Sequence, residues 1–108
     1  MAFVYGILGQ TADASTEAPL YTVPAGTDVK VRVTVANRAA TSATFRLSIS
    51  PDGGATGNED YVAYDKTLDA NESVTSTTFT ANAADVIRCK SSTATVTFTA
   101  FGITQDNT

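Results

Sequence analysis

The residues best placed to do chemistry in this 108-residue chain lie in the run SPDGGATGNEDY, residues 50–61, where Asp52, Glu59 and Asp60 share twelve positions with three glycines. Carboxylates on a glycine-rich loop can bind calcium, but calcium needs several converging oxygens, acids at alternating positions and a late bidentate acid. Asp52 fits the start of such a loop. Gly54 and Thr56 then stand where acidic or amide side chains are required. The stretch from Asp52 to Asp60 is therefore expected to be a turn-rich, solvent-facing connection built on Pro51, Asp52, Gly53 and Gly54, its acidic tip turned to solvent or to a neighbouring subunit.

Tyr61 and Tyr64, with Asp65 beside them, could form a sugar-stacking platform. On an uninterrupted strand the two rings point to opposite faces, so only a β-bulge would unite them, and core packing with a wet hydroxyl is the expectation. Glu59, Asp60 and Asp65 could serve a small hydrolase, yet acids adjacent on a strand face opposite ways and cannot flank one bond. Histidine is absent, which removes the commonest general base and metal ligand. Cys89 is the sole cysteine; it shares parity with Ile87, opposite Arg88 and Lys90, and reads as a buried, inert thiol. No enzyme, metal site or cofactor is expected.

The elements that position these residues are strands. Residues 28–37, DVKVRVTVAN, alternate with period two, placing Val29, Val31, Val33 and Val35 on one face and Lys30, Arg32 and Thr34 on the other. Phe45, Leu47 and Ile49 alternate in the same way with Arg46 and Ser48, and Val96, Phe98 and Ala100 with threonines. Residues 3–8, 20–23, 61–68, 74–80 and 86–90 complete the set, with at most one helical turn, around 81–84. The expectation is an all-β fold: a single antiparallel β-sandwich of about seven or eight strands, Ig-like or jelly-roll-like. A turn motif recurs before strands, at residues 24–29, 69–74 and 80–86, each with Gly or Asn where a positive φ is needed.

Residues 9–18, GQTADASTEA, are small, polar and aperiodic. They divide the chain into an N-terminal strand and linker arm, residues 1–18, and a sandwich domain with a short C-terminal tail, residues 19–108. The first strand either pairs with the domain's own sheet or adds to a neighbouring subunit, which makes Phe3, Tyr5, Ile7 and Leu8 candidate interface residues. Lys30, Arg32, Arg46, Arg88 and Lys90 occupy polar strand positions; they are either a solvated face or a cationic docking face for an acidic protein surface.

A net charge of −4 and a pI near 4.4 argue against nucleic acid as the main partner. One cysteine permits no internal disulfide, which suits folding in a reducing compartment. The segment before Gly9 lacks the charge of a signal peptide and the length of a membrane anchor, so neither is expected. A domain this small is expected to be only marginally stable alone, and burial against neighbours would add to it.

Several blocks, taken in order, resemble a family of small proteins encoded in tailed-bacteriophage genomes. They are LGQ at 8–10, LYTVPAGT at 20–27, VANR at 35–38, ATFRL at 43–47, SPDGGA at 50–55, DVIR at 85–88 and VTFTAFG at 96–102, with Asp60-Tyr61, Tyr64-Asp65 and Ala70-Asn71 between. The similarity covers nearly the whole chain and departs at residues 56–59. It implies a virion structural protein, a capsid decoration or cement protein or else a neck, tail or baseplate component, made in the host bacterial cytoplasm. Its partners would be the major capsid protein or tail and neck proteins, in a homo-oligomer or lattice. A host-surface carbohydrate-binding module is the reading outside that class.

Overall fold

The computed structural model describes residues 2–12, 15–54, 56–57, 60–76 and 78–106, with the side chains of residues 2–5 and 106 outside that description. Nine strands follow one another: β1 (Ala2–Thr11), β2 (Ala18–Thr22), β3 (Thr27–Asn37), β4 (Ala43–Ser50), β5 (Tyr61–Leu68), β6 (Ser73–Thr75), β7 (Phe79–Ala81), β8 (Val86–Ser91) and β9 (Val96–Asp106). Among the described residues 3-10 conformation occurs at Pro51–Gly53 and at Asp60, outside the 81–84 stretch expected to hold a helical turn. Pro51, with its fixed φ and missing donor, starts the first of these at no hydrogen-bonding cost.

All pairings are antiparallel. The first sheet runs β1-β9-β3, with β6 and β7 sharing the far edge of β3; the second runs β2-β8-β4-β5. Residues 74–80, expected as one strand, split because Ser76 replaces a ladder rung: its hydroxyl accepts from the Val33 amide (2.9 Å) while its own amide donates to the Val33 carbonyl (2.9 Å). Residues 9–18 are less of a linker than their composition suggests. β1 stays paired with β9 to Thr11, opposite Phe98, and β2 already begins at Ala18.

The core lies between the sheets, where the period-two pattern put it. Val29, Val31, Val33 and Val35 of β3, and Val96, Phe98 and Ala100 of β9, face Phe45 and Leu47 of β4 and Ile87 and Cys89 of β8. Phe45 and Phe98 meet across the sheets edge to face, with centroids 6.2 Å apart. Each such large side chain removed from water contributes roughly 1.5–3 kcal/mol. Among the buried polar residues is Asn37, 3% exposed at the end of β3. Its Nδ2 donates to the Thr41 (2.8 Å) and Asp69 (3.2 Å) carbonyls, and its Oδ1 accepts from the Ala39 amide (3.1 Å) and the Thr95 hydroxyl (3.3 Å). Three connections at one end of the sandwich are thereby tied to a single side chain.

The recurring turn motif is real, with one shift. Thr27 donates to the Pro24 carbonyl, Glu72 to that of Asp69 and Asp85 to that of Asn82, each closing a turn whose third residue has a positive φ. Gly26 (72°) and Asn71 (57°) hold that position in the first two; in the third, one residue longer, it falls on Ala84 (72°) rather than Asn82. A methyl group in the left-handed region is strained. Ala84→Gly is therefore expected to stabilise the fold by a few tenths of a kcal/mol to about 1 kcal/mol, the strain relief exceeding glycine's added unfolded-state entropy. A lower denaturation midpoint would show that Ala84 is unstrained.

With β6 and β7 counted as one interrupted strand, the two sheets read 1-8-3-6 and 2-7-4-5. That is jelly-roll order: each strand crosses to the other sheet from its predecessor except at the β4-β5 hairpin, which stays within the second sheet. Of the two sandwich types the sequence allowed, the topology selects the jelly roll.

Candidate functional site

Strand parity separates the five candidate cations into two groups on opposite outer faces. Arg46, Arg88 and Lys90 stand on the second sheet, with Arg46 paired to Lys90 and Ser48 to Arg88; Lys30 and Arg32 stand on the first. No single face gathers all five.

On the second sheet β5 is irregular against β4, and Asp65 takes a left-handed conformation (φ 49°). The bulge brings Tyr61 and Tyr64 to the same side, their rings 4.8 Å apart and nearly perpendicular, contrary to the opposite facing that simple alternation predicts. Tyr64 is 58% exposed, so it is no core residue. The Arg46 guanidinium lies 4.1 Å over the Tyr64 ring and donates through Nε and Nη2 to both Asp65 oxygens, at 2.6 and 3.2 Å. That hydrogen bond raises the Arg46 pKa and lowers that of Asp65. Charge, ring and carboxylate thus satisfy one another at the surface.

Arg88 holds the glycine-rich connection. Its Nη1 donates to the Ser50 hydroxyl (2.7 Å), the Gly54 carbonyl (2.8 Å) and the Thr56 hydroxyl (3.4 Å). Ser50 is fully buried beneath these contacts, while Pro51, Asp52, Gly53 and Gly54 are exposed, as a solvent-facing connection requires, and Thr56 and Gly57 are half-buried. The acids serve turns: Asp60 accepts from the Gly57 amide (2.8 Å), and Asp85 reaches across to the Asp52 amide (3.2 Å). Among the described residues no group of three metal-ligating side chains converges, and Glu59 lies outside them. Arg88→Ala is expected to cost about 1–2 kcal/mol and to open residues 53–57 to proteolysis, since two well-made bonds and a weaker one disappear. Limited digestion at unchanged rate would contradict this anchoring role.

The outer face of the first sheet is built differently. Opposite Arg32 in the register stands Phe101, and opposite Phe101 on β1 stands Ile7; Lys30 stands opposite Ile103, itself opposite Tyr5. Ile7 is 65% exposed. Leu8, also a candidate interface residue, is the extra residue of a bulge between Ile7 and Gly9, and it packs against the core instead. Phe3 and Tyr5 have side chains outside the described residues. Phe101 and Ile103 went unnoticed as surface residues in the sequence. The signal was present: they continue the threonine parity of Thr97 and Thr99, not the core parity of Phe98 and Ala100.

Cys89 is 1% exposed, with Sγ 3.8 Å from the Ala18 carbonyl, and burial, helped by the charge of Glu17, pushes its pKa up to about 12. An unfolded thiol ionises near pH ~8.5. Above that pH the unfolded chain releases a proton that the folded chain keeps, so the contribution present below ~8.5 is lost as pH rises toward 12. A thiol-reactive dye at about pH 8 is expected to label Cys89 only after unfolding; rapid native labelling would contradict its burial.

The sites reduce to a jelly-roll sandwich without a catalytic constellation among its described residues, bearing one basic face whose Arg46 and Arg88 are bonded within the chain and one partly apolar face edged by cations. No helix of the described residues is long and apolar enough to cross a membrane. No protein-family model and no curated protein matches the chain. Among solved structures it is similar to a pentameric capsid protein isolated from metagenomic phage sequences, at 19% identity and a TM-score of 0.46, over 96% of this chain and 60% of that one. It is also similar to the structure of infectious bursal disease virus Gx strain, at 13% identity and a TM-score of 0.47, over 97% of this chain and 31% of that one. The chain therefore spans less than two thirds of either neighbour.

Proposed function

We propose that the chain is a non-enzymatic structural protein of a tailed-phage virion, attached to the capsid as a decoration or cement protein. The observation that carries this reading is the jelly-roll order of the two sheets, an architecture used by viral capsid domains as well as by lectins and cupins. A fold alone does not specify a role. The direction comes from the resemblance of the ordered sequence blocks to small tailed-phage proteins, and from acids and arginines among the described residues that close turns and anchor loops. The partners would be the major capsid protein or further copies in a lattice, with the outer sheet faces as contacts. Cryo-electron microscopy of the particle tests this: density for the domain in many copies over the shell is expected. Density confined to the neck, tail or baseplate would replace the capsid reading with its nearest rival, and absence from the particle would end both.

A second reading, a module that binds host-surface carbohydrate, is favoured by the exposed Tyr64 beside Tyr61 and Arg46. It requires a glycan-array signal that Tyr64→Ala abolishes.

A further inference from the structure

Both outer faces carry cations, but only the first sets them beside an apolar floor. On the second sheet Arg46 is bound by Asp65, the one ion pair among the described residues, and Arg88 by the 50–56 connection, while Lys90 has neither a hydrogen-bond nor an ion-pair partner among the described residues. On the first sheet Lys30 has no hydrogen-bond or ion-pair partner among the described residues, and Arg32 uses Nε alone, for the Thr78 hydroxyl (2.9 Å). These two side chains edge an apolar floor of Ile7, Phe101 and Ile103, which line one shallow groove with them. Ile7 is 65% exposed, and Phe101 and Ile103 are half-buried beside it. Asp28, the acid at the same parity on β3, has an interaction of its own.

We propose that this face docks an acidic, extended segment of a second, different protein. The segment's apolar side chains would cover Ile7, Phe101 and Ile103 while its carboxylates reach Lys30 and the Arg32 amino groups. Apolar burial supplies affinity, and charge-assisted bonds at the edge supply orientation and salt sensitivity. The occupant is a different protein because the acids among the described residues are largely engaged. Asp65 is held by Arg46, Asp60 by the Gly57 amide, Asp85 by the Asn82 and Asp52 amides, and Glu72 by the Asp69 amide. The described part of a second copy would bring few free carboxylates to this groove. The location of the partner rests on the virion reading; the chemistry of the face does not.

The test uses the full chain, isotope-labelled, and a synthetic extended peptide alternating glutamate with valine and phenylalanine; a control peptide carries lysine in place of glutamate. Expected are amide shifts centred on Lys30, Arg32, Phe101 and Ile103 with the glutamate peptide only. Affinity should fall roughly tenfold or more between about 0.05 M and about 0.5 M salt. The double variant Lys30→Glu with Arg32→Glu should lose the glutamate peptide and gain the lysine one. Equal binding of both peptides, shifts on the second sheet, or no shifts at all would overturn the proposal. So would a concentration-dependent dimer that Ile7→Ser dissolves, since the face would then be closed by a second copy. Co-sedimentation with phage particles separates the two claims. If the parent chain binds the glutamate peptide here but ignores particles, the virion reading fails and the docking chemistry stands. If the parent and charge-reversed chains join particles equally well, the virion reading stands and this proposal fails.

Discussion

Gly102→Ala is expected to destabilise the fold by about 3 kcal/mol or more, lowering the melting temperature by about 15 °C in a domain of this size. Gly102 lies in the middle of β9, paired with Gly6 of β1 on one side and Val31 of β3 on the other. A Cβ there would overlap the Lys30 carbonyl and crowd the Val31 Cα. The obstacle is backbone in a neighbouring strand, so no rotamer change relieves it, and β9 must move away from β3. That movement would loosen the most extensive ladder of the first sheet, which runs from Thr27 opposite Asp106 to Asn37 opposite Val96. Gly54→Ala is the control. Gly54 has an ordinary φ of −64°, and its added Cβ would come no closer than 3.6 Å to the Pro51 carbonyl oxygen. That change should be neutral or slightly stabilising. Comparable melting temperatures for the two variants would mean that β9 can shift freely and that the close approach has no energetic weight.

Asn37→Ala is expected to cost about 3 kcal/mol by a different route. Four hydrogen bonds are lost, and the Thr41 and Asp69 carbonyls and the Ala39 amide lose a partner near the edge of the core. Each bond is worth only about 1 kcal/mol net, and water reaching the vacated space would recover part of the total. Asn37→Asp separates hydrogen bonding from volume. Its carboxylate would keep the acceptor toward Ala39 and Thr95 but turn a negative charge toward two carbonyl oxygens. At neutral pH it should be less stable than Asn37→Ala. Burial beside carbonyls raises the folded-state pKa of the new acid, so stability should return as pH falls below that value and the protonated group can donate again. Chemical denaturation across the acid range checks both statements. Loss below about 1 kcal/mol in Asn37→Ala would show that the three connections are held by their backbone bonds alone.

How much of this was legible beforehand differs from element to element. β5 occupies the residues expected of it, 61–68, and β3 is only one residue longer than its alternating run, because side-chain period two is a local property that survives any tertiary arrangement. The burial of Cys89 followed from parity with Ile87 for the same reason. Tyr61 and Tyr64 were misread because a bulge is an accommodation between two strands, invisible in either one alone. Leu8, half-buried, is turned toward the core by the same kind of irregularity, between Ile7 and Gly9. Arg88 looked like a docking cation, and nothing within residues 85–91 signals that the connection from Ser50 returns to it from 32 to 38 residues earlier in the chain. The break between β6 and β7 depended on Ser76 meeting Val33, again a pairing between distant segments.

Alternation and composition set the class of this protein: an all-β sandwich with a valine-rich core and a buried thiol. Those conclusions need only composition and alternation, which act within a strand. The tertiary structure alone decided the jelly-roll order, the division of the cations between two faces, and which of them remain unspent. Strand order and charge pairing depend on which segments meet across the sheets, and those meetings are set by the burial of the whole core, not by any run of neighbouring residues.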